Sequence, residues 1–408
     1  MTSSTRRLAI GALLMVALAA AALPEALADD PQQPRAAAVS RPRQETMAQA
    51  AAAQAARAQA ARAQEALEQV ALAHLTPEHL AGQRVVYSYP GATPPAALLR
   101  DIRAGRVGGV IFFSDNISGP SRFGTVVAEL RQAQQRSGVG LPLLLMTDQE
   151  GGLVRRLPGD PVPSERQIGQ EENPAAAAAQ AGSDAGRNLL NAGLNVNLAP
   201  VLDVYGTSDD FIDRAQRSYS QDPAVAAAAG RAFITAQQRV GVAATAKHFP
   251  GLGSAPASRN TDEVPVTLPV PLGTLRAVDE APYPAAIAAG VKLVMVSWAV
   301  YPALDPDHPA GLSPAVVGRE LRGRLGYQGV TITDALEAGA LRGVGGTEQR
   351  ALAAAGAGMD LLLCSGQDTA QGERATAALA EALTSGRLDR AGFTAAVNRI
   401  SGLRAGLR

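Results

Sequence analysis

The strongest constraint in this chain is an alternation that starts near Thr76 and runs to the C-terminus. Short β-forming apolar runs recur at Arg84–Tyr89, Gly109–Phe113, Leu143–Thr147, Asn195–Ala199, Ala243–His248, Leu293–Trp298, Val330–Thr333 and Asp360–Cys364. Between them lie helical stretches such as Ser121–Gln135, Ala175–Asn191, Pro223–Arg239, Leu272–Ala289, Ser313–Leu325 and Thr347–Ala357. Runs that are apolar on both faces suit buried parallel strands, and intervening helices suit right-handed crossovers. About eight such units in roughly 330 residues match the count and size of a (β/α)8 barrel of the TIM type. A doubly wound open sheet is the alternative, but no Gly-x-Gly-x-x-Gly fingerprint follows the first run. Residues from Ala370 onward read as terminal helices, with no room for a second domain. The expected class is α/β, with one barrel domain over residues 75–408.

Polar residues collect where these runs end. Leu143–Thr147 leads into Asp148-Gln149-Glu150-Gly151-Gly152 and then Arg155-Arg156. Asn195–Ala199 leads to Asp203, and the loop beyond carries Asp213-Arg214 and Arg217-Ser218-Tyr219. Ala243–His248 delivers Lys247 and His248 side by side before the Phe249-Pro250-Gly251 turn, and Val330–Thr333 ends at Asp334. Barrel enzymes present catalytic groups from such strand ends. A pocket built of acids and fixed cations suits a neutral polyhydroxylated ligand, because carboxylates and Arg or Lys each bridge neighbouring hydroxyls. A phosphate site fits less well, since acids are as frequent as bases and no Gly-rich phosphate cradle is visible.

Composition narrows the function further. Lys plus Arg equals Asp plus Glu at 37 each, so the chain has no nucleic-acid signature. The single cysteine, Cys364, excludes an internal disulfide framework, and the four histidines have no paired metal-ligand spacing. No metal and no cofactor are expected.

The N-terminus carries an export pattern. Arg6-Arg7 precede an apolar run from Leu8 to Leu23, and Ala26-Leu27-Ala28 has the small-x-small form of a cleavage site. Residues 1–28 are read as a signal peptide, which predicts a secreted or extracytoplasmic protein without a stable membrane span. An uncleaved anchor is the rival reading, because the run is near the lower spanning length of ~17 residues. Residues 29–74 read as a polar, disordered segment followed by an Ala-rich helical spacer.

Five segments, in order, carry a family resemblance: DQEGGLVRRL, NLAPVLDV, RSYSQDP, AKHFPGLG and ITDALEAGAL. Together they resemble the N-terminal barrel of glycoside hydrolase family 3, and most of all the single-domain β-N-acetylhexosaminidases of the NagZ type. The resemblance runs from about Leu75 to Leu403. It implies hydrolysis with retention at the anomeric carbon, no metal, and β-N-acetylglucosaminides as leading substrates, peptidoglycan fragments among them. By motif, Asp334 corresponds to the nucleophile. Asp148, Arg156, Arg217, Lys247 and His248 correspond to residues that hold the terminal sugar. Asp203 is expected to orient an arginine from behind. Arg155 and Arg214 are expected to be solvated or paired neighbours.

One departure qualifies the resemblance. NagZ-type enzymes carry Asp-Ser-His in the loop after the lysine-histidine pair, and that histidine is the general acid/base. Here Ser258, Arg259 and Asn260 stand in its place, and Leu252 replaces another loop histidine. Neither Ser258 nor Asn260 titrates near neutral pH. Asp262 and Glu263 are the nearest acids, on a Gly/Ala/Ser-rich loop read as mobile enough to swing either inward. Three readings stay open: a working enzyme with an atypical acid/base, a slow one limited to good leaving groups, and a sugar-binding pseudoenzyme. A β-glucosidase of the same family is a further alternative.

Overall fold

The computed structural model describes residues 75–407, together with the single position Gln59, which is helical and exposed. The export signal and nearly all of the spacer therefore lie outside the described residues.

Eight strands close into a barrel: β1 Val85–Tyr87, β2 Gly109–Ile111, β3 Leu144–Thr147, β4 Val196–Asn197, β5 Ala243–Phe249, β6 Leu293–Val296, β7 Val330–Ala335 and β8 Leu361–Leu363. Each pairs in parallel with its chain neighbours, and β1 closes the ring against β8. Every expected run overlaps one of these strands. β5 and β7 extend further than expected and incorporate Phe249 and Asp334.

The period of two along each strand divides the core into two layers. Val86, Ile111, Leu144, Met146, Val196, Leu198, Leu293, Met295, Val330, Ile332, Leu361 and Leu363 fill the barrel interior. Residues of the other parity, such as Val85, Val110, Leu145, Ala244 and Val294, pack outward beneath the helices. Ile400 and Leu403 of the last helix, Arg390–Ala405, join the interior cluster.

Four expected helices form as Pro120–Gln135, Pro174–Asn191, Pro223–Val240 and Thr347–Ala357. Proline occupies the first turn in three of them, where its missing N–H has no helical partner to lose. The stretch expected as one helix over Leu272–Ala289 is instead broken. A turn at Leu272–Thr274 and a wide π-type segment at Leu275–Asp279 precede a new helix, Pro282–Ala288. Pro282 accounts for the break, since its ring and absent donor cannot continue the preceding ladder. Expected as an ordinary helix, Ser313–Leu325 takes π-type geometry over Ala315–Arg324. Helix Ala96–Arg103 and two small antiparallel pairs, Gln149–Gly151 with Val154–Arg155 and Val300–Tyr301 with Asp305–Pro309, were not legible as periodic runs. Among the described residues no helix is long and apolar enough to cross a membrane.

Candidate active site

The interior parity that builds the barrel also selects the site. Two residues beyond Ile111, Met146, Leu363 and Ile332 on the same inward row come Phe113, Asp148, Ser365 and Asp334. All four line one cavity of about 280 Å3 at the C-terminal end of the barrel. On β5 the row Ala243, Thr245, Lys247 brings the lysine there as well. Ile111, Leu198, Met295 and Leu363 form the apolar floor. The strand-borne part of the polar lining is thus the rung directly above the packed core, where residues have their inward direction set by the ladder.

Lys247 is the hub of the cationic side. Its Nζ donates to Asp148 Oδ1 at 2.8 Å and lies 2.6 Å from Glu150 Oε1. Arg217 donates through Nε and Nη2 to the two oxygens of Glu150, each at 2.9 Å, in the fork geometry peculiar to guanidinium. Burial alone would raise the Glu150 pKa. Arg217 and Lys247 outweigh it and hold the carboxyl down at about 2. Burial likewise opposes the charge on Lys247, but Asp148 and Glu150 reverse this and raise its pKa. The Arg217 pKa rises for the same reason, through Glu150 first. Lys247 and Glu150 are almost wholly buried, so each charge depends on the other for its stability.

Local structure holds these partners in place. Gly151 and Gly152 adopt φ of +113° and +54° at the turn of the small ribbon, and a Cβ on Gly151 would meet the Pro163 carbonyl oxygen at 2.2 Å. Asn197 of β4 locks the preceding residue, accepting from Gln149 N at 2.9 Å and donating to its carbonyl at 3.1 Å. Beside Arg217, the Ser218 hydroxyl donates to the Asp203 carbonyl at 2.5 Å. Arg156 lies at 4.0 Å from Asp148 Oδ2, and its backbone N–H donates to the Asp148 carbonyl at 3.2 Å.

Asp203 corrects an expectation. It partners His248, not an arginine: its Oδ2 lies 2.7 Å from His248 Nδ1, and its Oδ1 accepts from the backbone N–H groups of His248 and Leu252 at 3.2 and 2.8 Å. Register is the reason. Val201 bridges Lys247 across the β4–β5 edge, which brings the following turn of β4 beside His248. The Lys247–His248 and Phe249–Pro250 peptide bonds are both cis. His248 Nε2 faces Arg217 Nη2 at 3.5 Å, and the ring lines the cavity.

Asp334 and Asp262 add two further carboxylates to the lining. Asp334, half-buried at the end of β7, accepts from the Ala335 N–H at 2.8 Å and begins no helix. Asp262 lines the same cavity from the loop after β5. Although solvent reaches it, enclosure by the cavity mouth and the nearby Asp334 carboxylate push its pKa up to about 6, against the pull of Arg217 and His248. Glu263 points elsewhere: it is exposed, is absent from the lining and accepts from Asn260 Nδ2 at 3.4 Å. Ser258 and Arg259 are also exposed and outside the lining. The loop does not need to swing, because backbone hydrogen bonds tie Thr261 and Asp262 to Ala340 and Gly339.

Three carboxylates were missed at the level of sequence. Glu150 belongs to the Asp148-Gln149-Glu150 motif, and its two-residue spacing from Asp148 was the available signal. Glu337, three residues after Asp334, lines the cavity and accepts from the Ser365 hydroxyl at 2.6 Å and from Gln371 Nε2 at 3.0 Å. Glu165 is buried, accepts from Val201 N at 2.9 Å, and is driven well above the usual carboxylate range by burial and then by Glu150. As an acid in a first helical turn it reads as an ordinary helix-end charge. Arg155 and Arg214 stay outside the cavity lining. Arg155 donates to the Gly159 carbonyl at 2.7 Å, and Arg214 is exposed.

The Glycosyl hydrolase family 3 N terminal domain matches residues 48–403, beginning inside the stretch read as a spacer. Among curated proteins, the chain is 46% identical over 329 residues to an "Uncharacterized secreted glycosyl hydrolase" of Arthroderma benhamiae, covering 80% of this chain and 93% of that one. It is 36% identical over 264 residues to a "Beta-hexosaminidase" of Stenotrophomonas maltophilia, covering 63% of this chain and 76% of that one. Among solved structures, a family 3 beta-N-acetylglucosaminidase from Paenibacillus sp. superposes with a TM-score of 0.77 at 34% identity, over 81% of this chain and 62% of that one. A Beta-N-acetylhexosaminidase from Beutenbergia cavernae gives 0.74 at 31% identity, over 81% of this chain and 99% of that one. With the closed parallel barrel and its rung of acids and cations, these likenesses establish that the chain is a glycoside hydrolase belonging to glycosyl hydrolase family 3.

Proposed function

We propose that this protein is an exported, retaining exo-β-N-acetylhexosaminidase, with Asp334 as nucleophile and Asp262 as general acid/base. The carrying observation is that Asp262 and Asp334 line one cavity together with Lys247, Arg217 and His248, with the Asp262 pKa raised toward neutrality. Two carboxylates flanking the scissile bond are what a retaining glycosidase needs.

In the first step the ionised Asp334 carboxylate attacks the anomeric carbon. The bond to the leaving oxygen breaks, and Asp262 gives that oxygen its proton. Water then attacks the glycosyl ester, passing a proton back to Asp262 as the Asp334 oxygen departs. Lys247, Arg217, Arg156, His248 and Asp148 hold the terminal sugar's hydroxyls, with Glu150 and Asp203 keeping the cations and the imidazole aligned. A cavity of about 280 Å3 is at the small end of ligand sites, which supports one terminal sugar and hence exo-action. The hexosaminidase and N-acetylglucosaminidase names of the relatives support N-acetyl sugars over plain glucosides. Export is supported by the N-terminal residue order and by the word "secreted" in one relative's name.

The test is Asp262→Ala. Turnover of β-N-acetylglucosaminides with poor leaving groups should fall by ~10²–10⁴-fold, the usual worth of acid/base assistance. Dinitrophenyl glycosides, which leave without a proton, should form the glycosyl-enzyme at nearly the parent rate, and azide should speed its breakdown. A variant with unaltered leaving-group dependence and no azide response refutes the assignment of Asp262.

A further inference from the structure

The loop that carries Asp262 lacks the family's histidine, yet it is pinned at both ends. Before the turn, Phe211 N donates to the Ala255 carbonyl at 2.8 Å. After it, Gly339 N donates to the Asp262 carbonyl at 2.7 Å and Ala340 N to the Thr261 carbonyl at 3.0 Å. Gly339 and Ala340 lie just beyond β7, five and six positions after Asp334. The segments bearing Asp262 and Asp334 are therefore bonded directly to each other.

This bonding depends on a missing side chain. A Cβ on Gly339 would meet the Glu263 carbonyl oxygen at 2.1 Å, its carbonyl carbon at 2.3 Å and its Cα at 2.9 Å. These are backbone atoms, so no rotamer change relieves the overlap, and the loop or the β7 extension has to move. Asn260 completes the turn from the other side. Its Oδ1 accepts from Asp262 N at 2.9 Å, and its carbonyl accepts from Glu263 N and Val264 N at 3.1 and 3.0 Å. An asparagine oxygen bonded to the backbone two residues on is a rigid local turn. The residue standing where a proton carrier would be thus shapes the segment that presents Asp262.

We infer that Gly339 and Asn260 are positioning residues that set Asp262 against Asp334: Gly339 by admitting the loop backbone, Asn260 by closing the turn that presents the carboxyl. This rests on the assignment of Asp262 as acid/base. Neither residue titrates or touches substrate in this role. Both act through the spacing of the two carboxyls, to which proton transfer is sensitive: a 1 Å misplacement costs about 10²-fold.

The experiment compares Gly339→Ala, Asn260→Ala, Asn260→Ser and Gly343→Ala on aryl β-N-acetylglucosaminides of graded leaving-group pKa, with azide present and absent. Gly339→Ala should lower kcat/KM for poor leaving groups by about 10²-fold while changing the dinitrophenyl glycoside little, and should acquire azide acceleration. Asn260→Ala should shift in the same direction by about 10-fold, and Asn260→Ser, which retains a short acceptor, should recover part of it. Gly343→Ala, whose added Cβ meets nothing within 4 Å, should behave as the parent. Asn260 is only partly buried, so its variants keep the question open to test if Gly339→Ala fails to fold. Uniform loss across all leaving groups, or parent-like behaviour of Gly339→Ala and Asn260→Ala, overturns the inference. If Asp262→Ala still shows the acid/base signature in the same assay, only the positioning role fails. If Asp262→Ala is inert, the assignment of Asp262 falls with it.

Discussion

The two walls of the pocket are built on different principles. On one side Lys247, Arg217, Glu150, Asp148, His248 and Asp203 form a continuous, largely buried network, with Lys247 and His248 held on the β5 ladder. On the other, Asp262 comes from a solvent-exposed loop and takes its position from backbone hydrogen bonds to the segment after β7. The first wall is fixed by strand register and charge pairing. The second is fixed by a few contacts that small sequence changes can rewrite. On the assignment proposed above, the sugar-holding residues therefore sit where the barrel gives them no freedom, whereas the proton-transfer group can be exchanged within the loop. This accounts for a chain that matches its family's sugar-holding motifs while departing from the loop dyad.

The largest expected effect tests whether both walls converge on one reactive atom. Asp334→Asn should reduce turnover on the order of 10⁴–10⁶-fold, as removal of a nucleophile does, with sugar affinity retained in a binding measurement. Labelling of another carboxylate by a mechanism-based fluorosugar would place the nucleophile elsewhere. Next comes the buried network. Glu150→Ala leaves Lys247 and Arg217 short of a counter-charge and should cost about 3–5 kcal/mol of stability by denaturant titration, along with weaker sugar binding. A variant that melts with the parent would show that the cationic wall does not depend on Glu150.

The loop wall should respond to pH. As the proposed general acid, Asp262 carries its proton into the first step, so with its pKa at about 6 the kcat/KM for a poor leaving group should fall as pH rises through 6, tending to about tenfold per unit. A dinitrophenyl substrate should lack this limb. The folded state also holds this proton more tightly than the unfolded chain, whose carboxyl titrates near ~4. Stability should therefore decline as pH rises from about 4 to 6, and Asp262→Asn should remove that part of the decline. Equal pH limbs for both substrates would assign the proton to another group. The smallest expected effect belongs to Glu263→Ala, an exposed residue outside the cavity, with stability within about 0.5 kcal/mol of the parent and an unchanged leaving-group dependence. A leaving-group effect at Glu263 larger than at Asp262 would reverse their roles.

Much of this was legible in the residues themselves. Alternating apolar runs and helical stretches determine the barrel, because a strand buried on both faces leaves a continuous apolar signature and its inward parity continues to the last residue. The polar residues at the strand ends, with the family motifs that contain them, are why Asp148, Lys247 and Asp334 could be named from the sequence. Breaks in helical geometry at Leu275–Asp279 and Ala315–Arg324 were not legible, since helical propensity does not encode the width of a turn. The partners of these groups belonged to tertiary structure. Glu150 and Asp203 became charge partners through strand register and a glycine turn. Asp262 was separated from Glu263, its equal in sequence, by contacts to Gly339 and Ala340 from far along the chain. Local periodicity reports which face of an element is buried. The meeting of two loops depends on close approach between distant backbone segments, and the sequence records that only as a glycine whose reason is invisible until its neighbour is known.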